Sequence, residues 1–179
     1  MVLLAGIALG LLVGLGRAGR HQVPYKAPKL QYVWLVLVAF ILQYIEQVNR
    51  FPIIASQLIF IGFVFLNISH MGMKILLVGA ALNFIVMLAN GGFMPISFET
   101  AGRLTQVNLL DYPAGTLFGA KDILLPPEQT RFEWLADRFL PPSWLPYQFA
   151  FSLGDVFIAA GAFWLLAWQK TSIIKGETL

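Results

Sequence analysis

Five polar residues interrupt the apolar stretches of the chain, and their side chains could do chemistry: Gln43, Glu46, Asn83, Asn90 and Asp155. A carboxylate can exchange a proton or accept hydrogen bonds, and an amide both donates and accepts them. Polar groups in an apolar solvent are costly unless they have partners, so each is a candidate for function. Such a set could bind the head group of a lipid or quinone, or relay a proton.

Other chemistry is restricted by what the chain lacks, since it has no cysteine and only two histidines, His21 and His70. Without cysteine there is no thiolate catalysis and no iron–sulfur cluster held by this chain. Both histidines fall in predicted loops, so no metal site or haem is expected. The sequence has no clear cofactor motif, but it is compatible with a bound lipid or quinone. The sequence favours a non-catalytic protein, while the acids leave an enzyme open.

The elements that must position the polar residues are apolar segments of membrane-spanning length. Hydrophobic residues make up 58% of the chain and charged residues 12%, about half the charged share of a typical soluble domain. A helix that crosses a bilayer needs about 20 residues, with a range of about 17–25. We predict an all-α transmembrane bundle that forms a single domain over residues 1–179, with helices at residues 1–16, 30–47, 53–69, 75–89 and 148–168.

The distribution of Lys and Arg predicts how the bundle is oriented. Seven of the 12 Lys and Arg residues, but one of the nine acids, lie before residue 30, between residues 69 and 75, or after residue 168. Lys/Arg bias marks the cytoplasmic side, which predicts the N-terminus outside, the C-terminus inside and a multi-pass protein of the bacterial cytoplasmic membrane. Arg17 and Arg20 follow segment 1–16, whereas a signal peptide has its positive charge first. The net charge of +3 is therefore a topology signal, and no nucleic-acid partner is expected.

Residues 90–147 are too polar to cross a bilayer and are predicted to form a long extracytoplasmic loop. The loop opens with Asn90-Gly91-Gly92, a turn cluster that ends the preceding helix. Within it, residues 95–104 predict a short helix, and residues 127–140 predict a second one lying along the membrane interface. Three aromatic residues are typical of an interfacial belt: Trp134, Trp144 and Tyr147.

The polar residues are expected at similar depth in the outer part of the bundle. Gln43 and Glu46 lie near the outer end of an outward-running helix, and Asp155 lies in the outer part of an inward-running one. We therefore predict a ligand-binding site beneath the long loop. The alternative is structural: the asparagines join helices, Asp155 caps its helix or ties the loop, and Glu46 pairs with Arg50. The sequence leaves both interpretations open.

Regularly spaced glycines predict close contacts between helices. Gly6, Gly10 and Gly14 form two overlapping GxxxG steps, and Gly154 and Gly161 lie on the last helix. Small residues let helix backbones approach closely. The partner of the first helix could be another helix of this chain or another protein.

Four blocks of sequence carry a resemblance to a known family: residues 14–20, the end of a helix at Gln43, residues 83–95 and residues 152–156. The Asn-Gly-Gly…Met-Pro and Ser-Leu-Gly-Asp motifs are the most specific parts. The chain resembles a bacterial family of small integral-membrane proteins of unknown function. The resemblance implies the fold and the topology, and it implies no activity.

Two functions from different classes are compatible with these observations. The first is a non-catalytic accessory or structural subunit of a larger membrane complex, such as an electron-transport or photosynthetic assembly. Its partners would be membrane lipids and other membrane-protein subunits. The second is a small transporter, or a binder of a lipid or quinone, that uses the outer polar residues.

Overall fold

A computed structural model describes residues 1–43 and 50–168. In this part of the chain there are six α-helices: α1 (Val2–Arg20), α2 (Trp34–Leu42), α3 (Arg50–Leu66), α4 (Met71–Ala89), α5 (Phe98–Thr105) and α6 (Leu153–Ala167). Three short strands accompany them: β1 (Met94–Ile96), β2 (Leu117–Phe118) and β3 (Asp122–Leu124). The molecule is mostly helical, as predicted, but the sheet corrects the all-α prediction.

The apolar helices lie where the sequence predicts them, with shifted ends. The first helix continues past residue 16 to Arg20, where the backbone N–H of His21 bonds to the carbonyl of Arg17. The last helix starts at Leu153 and not at residue 148, because Phe151 pairs with Phe139 in an antiparallel bridge before it. For the helix predicted at 30–47, the structure describes α2 only as far as Leu42, followed by Gln43.

Residues 90–147, predicted to be a loop, instead fold around the sheet, and we call this region the sheet domain, although its Met94 and Leu135 share one core with α3 and α4. Strand β3 lies in the middle, parallel to β1 and antiparallel to β2. The predicted helix at 95–104 is present as α5, whose N-cap Ser97 accepts a hydrogen bond from the backbone N–H of Thr100. The prediction of an interfacial helix at residues 127–140 is wrong. Two 3₁₀ turns replace it, because the backbone of Asp137 bonds to Pro95 of β1.

Helix α6 lies between α1 and α4 and contacts both of them at glycines. A Cβ added to Gly161 would lie 2.6 Å from the carbonyl oxygen of Gly72 on α4. Gly79 and Gly154 form a second such approach between these antiparallel helices. No methyl group fits at either point, because real Cβ atoms do not come within 3.0 Å of backbone.

The GxxxG residues of α1 lie against α6. Gly6 contacts the backbone of Ala159, and Gly10 contacts the backbone of Phe163. Gly14 approaches the carbonyl of Leu166 in the same way. We call the contacts of α6 with both neighbours the glycine interface. Within this chain, α6 supplies the partner surface for the first helix.

Among the described residues, two helices, α1 and α4, are long and apolar enough to cross a membrane. Two shorter apolar helices, α3 and α6, accompany them. Large apolar side chains on α1 point away from the protein, and Leu4, Leu9 and Leu12 are each more than half exposed. Such a surface suits an apolar surrounding.

Candidate functional site

Asn83 and Asp155 meet at the interface between α4 and α6. The Asn83 side-chain amide donates to Asp155 Oδ1 over 2.9 Å. The Ser152 hydroxyl donates to Asn83 Oδ1 over 2.8 Å and accepts from the backbone N–H of Asp155. Asp155 Oδ2 in turn accepts from the backbone N–H of Ser152, which completes a capping box at the start of α6. Gly154 makes this meeting possible, because a Cβ there would collide with Asn83 Oδ1.

This network opens onto a cavity of about 360 Å³. The volume is near the lower end of the range for pockets that bury small molecules, roughly 300–1,000 Å³. Most of its wall is apolar, with side chains such as Val36, Phe40 and Phe60 from α2 and α3. The polar side chains that line it are few: Gln43, Gln57, Asn83, Lys121 and Asp155.

Lys121, which directly precedes β3, brings a positive charge to the cavity. Its ammonium lies 2.6 Å from Asp137 Oδ2 and 3.0 Å from Asp122 Oδ1. The Asp137 side chain is 2% exposed, and among the described residues its other oxygen, Oδ1, has no hydrogen-bond partner. We call Asn83, Lys121 and Asp155 the polar wall, with Asp122 and Asp137 directly behind it.

The charges behind the wall shift one another's pKa values. Burial disfavours the ammonium of Lys121, but the carboxylates of Asp122, Asp137 and Asp155 outweigh it and raise its pKa. Burial raises the pKa of Asp137 to about 7, although the Lys121 charge opposes the shift. Burial also raises the pKa of Asp122 against the same opposing charge. A lysine whose pKa rises despite burial lies in a negative electrostatic potential.

The five predicted site residues therefore have different positions. Gln43, Asn83 and Asp155 line one cavity, and the last two are directly bonded. Asn90 lies away from it, because its side chain bonds to the backbone of Arg131 and to the carbonyl of Val86. It ties the sheet domain to the end of α4. Glu46, and with it the predicted pair with Arg50, lies outside the described residues.

Sequence reasoning missed Gln57, Lys121, Asp122 and Asp137 as site residues. Lys121 and Asp122 are charged residues between the apolar stretches 117–120 and 123–125, and charged side chains within apolar sequence are rarely buried unless they are paired. Asp137 gave no local signal, since it reaches Lys121 only through the pairing of its backbone with β1.

Comparison with known proteins identifies the family. The chain belongs to the DUF5317 family of unknown function. The DUF5317 match spans residues 27–167, which include α2 to α6 and every member of the polar wall. The prediction that the chain belongs to a family of unknown function is thereby confirmed. No curated protein and no solved structure matches the chain.

The arrangement has the form of a site that could recognise a small molecule. A largely apolar wall with a few convergent polar groups is the usual form of a ligand pocket. The described residues contain no group of three or more His, Cys, Asp or Glu that could hold a metal ion. The cavity can hold an apolar tail while Gln43, Gln57 and the polar wall contact a head group.

Proposed function

We propose that the protein is a multi-pass membrane protein that binds a small amphiphile, of the lipid or quinone class, in the cavity beneath its sheet domain. The observation that carries this proposal is the cavity itself, an apolar space of about 360 Å³ with a polar wall on one part of its surface. Its volume favours a single chain or ring with its head group over both chains of a phospholipid.

The proposed membrane setting has separate support. Helices α1 and α4 have the length and apolarity of spans, and outward-facing leucines such as Leu9 and Leu12 cover α1. The Lys and Arg bias adds an orientation, with the N-terminus and the sheet domain outside a bacterial cytoplasmic membrane. In this arrangement the cavity opens near the outer surface, where an amphiphile can enter from the lipid.

Labelling of single cysteines tests that orientation, because the chain has no cysteine of its own. Asp111 and Ser69 are both exposed and fall on opposite sides in the proposed topology. A membrane-impermeant maleimide should label Asp111→Cys in intact cells and Ser69→Cys only after lysis. The reverse pattern would contradict the orientation.

A cavity-filling variant tests the binding function. Ala39 is buried and lines the cavity, so Ala39→Phe should occupy the ligand's space. Ala160→Phe is the matched control, because Ala160 is exposed on α6. Protein purified in mild detergent would be extracted, and bound amphiphiles identified by mass spectrometry. We expect a bound species in the wild type and the control, and its loss in Ala39→Phe. Equal amounts in both variants would refute the proposal.

The alternative of an accessory subunit in a larger complex stays a prediction. One of its supports was the GxxxG surface of α1, and within the chain Gly6, Gly10 and Gly14 are covered by α6. The outward leucines of α1 could contact another subunit as well as lipid. A protein that runs as a monomer in mild detergent and keeps its bound amphiphile would favour the binding function.

A further inference from the structure

The sheet domain has a second concave surface, a polar cleft of about 510 Å³. None of the residues that line this cleft lines the amphiphile cavity. Its lining comes mainly from α5, with Glu99, Thr100 and Arg103, and from the segment 127–140. Asp137 lines the cleft, while Lys121, to which it is bonded, lines the cavity. The two spaces are therefore distinct and lie on either side of one ion pair.

Both arginines that line the cleft are paired with a glutamate that lines it too. Arg103 bonds to Glu99 over 2.7 Å, and Arg138 bonds to Glu133 over 2.9 Å. Each pair keeps unused capacity, because a guanidinium has five N–H donors and a carboxylate has about four lone-pair sites. Such exposed pairs contribute little to stability, so their side chains can turn toward a ligand at low cost. The cleft thus offers donors and acceptors side by side on both of its main segments.

An aromatic ring, that of Phe139, lies beside these polar groups. Its place is fixed by Phe151, whose backbone exchanges two hydrogen bonds with that of Phe139 and whose ring centre is 5.7 Å away. The Phe139 side chain is still partly exposed. The negative face of an aromatic ring attracts positively polarised hydrogens, such as those of C–H groups. The cleft therefore combines an apolar aromatic surface with paired donors and acceptors.

We propose that the cleft is a second binding site and that its ligand is a neutral sugar of one or two rings. A hydroxyl group both donates and accepts hydrogen bonds, so it can contact the glutamate and the arginine of one pair together. A sugar carries several hydroxyls at its edge and C–H groups on its face, which suit the ion pairs and Phe139 respectively. An anion would instead compete with Glu99 and Glu133 for their arginines. The volume lies within the range of small-molecule pockets, roughly 300–1,000 Å³.

Sugar binding can be measured on the full chain in a polyoxyethylene detergent, because maltoside and glucoside detergents would themselves supply a sugar. The probes are three neutral disaccharides, namely cellobiose, maltose and diacetylchitobiose, with glucose and glucose 6-phosphate as a pair that differs in charge. Saturation-transfer difference NMR detects contact with the protein, and a titration gives each Kd. We expect binding of at least one disaccharide, and weaker binding of glucose 6-phosphate than of glucose. Absence of binding by all three disaccharides would overturn the inference.

Two variants test whether the exposed ion pair contacts the sugar. Arg103→Ala and Glu99→Ala should each raise the Kd of the disaccharide about tenfold, the size expected for one lost hydrogen bond to a charged group. Arg131→Ala is the matched control, since Arg131 is an exposed arginine of the sheet domain that does not line the cleft. An unchanged Kd in both cleft variants would contradict the proposal. So would glucose 6-phosphate that binds more tightly than glucose and gains affinity in Glu99→Ala, since that is the behaviour of an anion site.

The cavity-filling variant Ala39→Phe separates this inference from the proposed function. Ala39 lines the amphiphile cavity and not the cleft, so the sugar Kd should be unchanged in Ala39→Phe. Sugar binding that is lost in Ala39→Phe but kept in Arg103→Ala would place the sugar in the cavity and refute the second site. Intact sugar binding in a protein that retains no amphiphile would refute the proposed function alone.

Discussion

The two sides of the helix bundle are packed in opposite ways. Helices α1 and α4 meet α6 through glycines, at distances that leave no room for a methyl group. Helices α2 and α3 present larger side chains, such as Phe60, and border a cavity of about 360 Å³. The close contacts hold the polar wall in place, because Gly154 lets Asn83 reach Ser152 and Asp155. The side formed by α2 and α3 leaves space for the proposed amphiphile, whose head group the polar wall would contact. One side of the bundle thus has an architectural role, and the other side is where the proposed ligand would bind.

The largest effect should come from a bulky residue in the glycine interface. Gly161→Leu would force α4 and α6 apart, at a cost of about 3 kcal/mol or more. Gly62→Leu on α3 is the matched control, since a Cβ there meets nothing within 4 Å. Thermal unfolding in detergent should show a large destabilisation for Gly161→Leu and little change for Gly62→Leu. Similar melting temperatures for Gly161→Leu and Gly62→Leu would show that the two sides of the bundle do not differ in how tightly they are packed.

A smaller effect should follow from breaking the ion pair behind the polar wall. Lys121→Met leaves the buried Asp137 without its cation. We expect a cost of about 2 kcal/mol, below the roughly 3–5 kcal/mol for a fully buried pair, because a third of the Lys121 side chain is exposed. The double variant Lys121→Met/Asp137→Leu should recover most of this stability in chemical unfolding. A double variant no more stable than the single one would show that the pair is not the cause.

Asn83 belongs to both sides, since it packs against Gly154 and lines the cavity. Asn83→Ala removes its bonds to Ser152 and Asp155, and should cost about 1–2 kcal/mol while it weakens amphiphile retention. Asn90→Ala removes hydrogen bonds outside the cavity. It should lower stability by about 1 kcal/mol without affecting retention. Equal amphiphile retention in Asn83→Ala and Asn90→Ala would show that the hydrogen bonds of Asn83 do not contribute to binding in the cavity.

The smallest expected effect is the loss of one proton from the Asp137 carboxyl as the pH rises. Its pKa of about 7 predicts a protonated carboxyl below that pH and an ionised one above it. Infrared difference spectroscopy should show the carbonyl band of a protonated carboxyl disappear as the pH rises through about 7. The band should be absent in Asp137→Asn and unchanged in Asp111→Asn, and a band that Asp137→Asn retains would belong to another group.

The glycine interface was more predictable from the sequence than the polar wall. Repeated GxxxG spacing at Gly6 to Gly14 signals a close helix contact, although spacing does not identify α6 as the partner. Helix direction and depth place Asn83 near Asp155, and the Ser152-x-x-Asp155 pattern is a recognisable capping box. Lys121 and Asp137 meet only because β1 pairs with β3 and with Asp137. Strands of two or three residues have too little periodicity to predict such pairing.

The glycine interface also sets an order of events during synthesis. The side chain of Arg17 at the end of α1 bonds to the carbonyl of Ala167, a residue 150 positions later in the chain. At roughly 5–20 residues per second, a ribosome needs about 7–30 s to make that stretch. For this time the glycine face of α1 lacks the partner that covers it in the finished fold. A nascent chain that stops before Leu153 should therefore be a good substrate for chaperones and proteases that recognise unpaired helices.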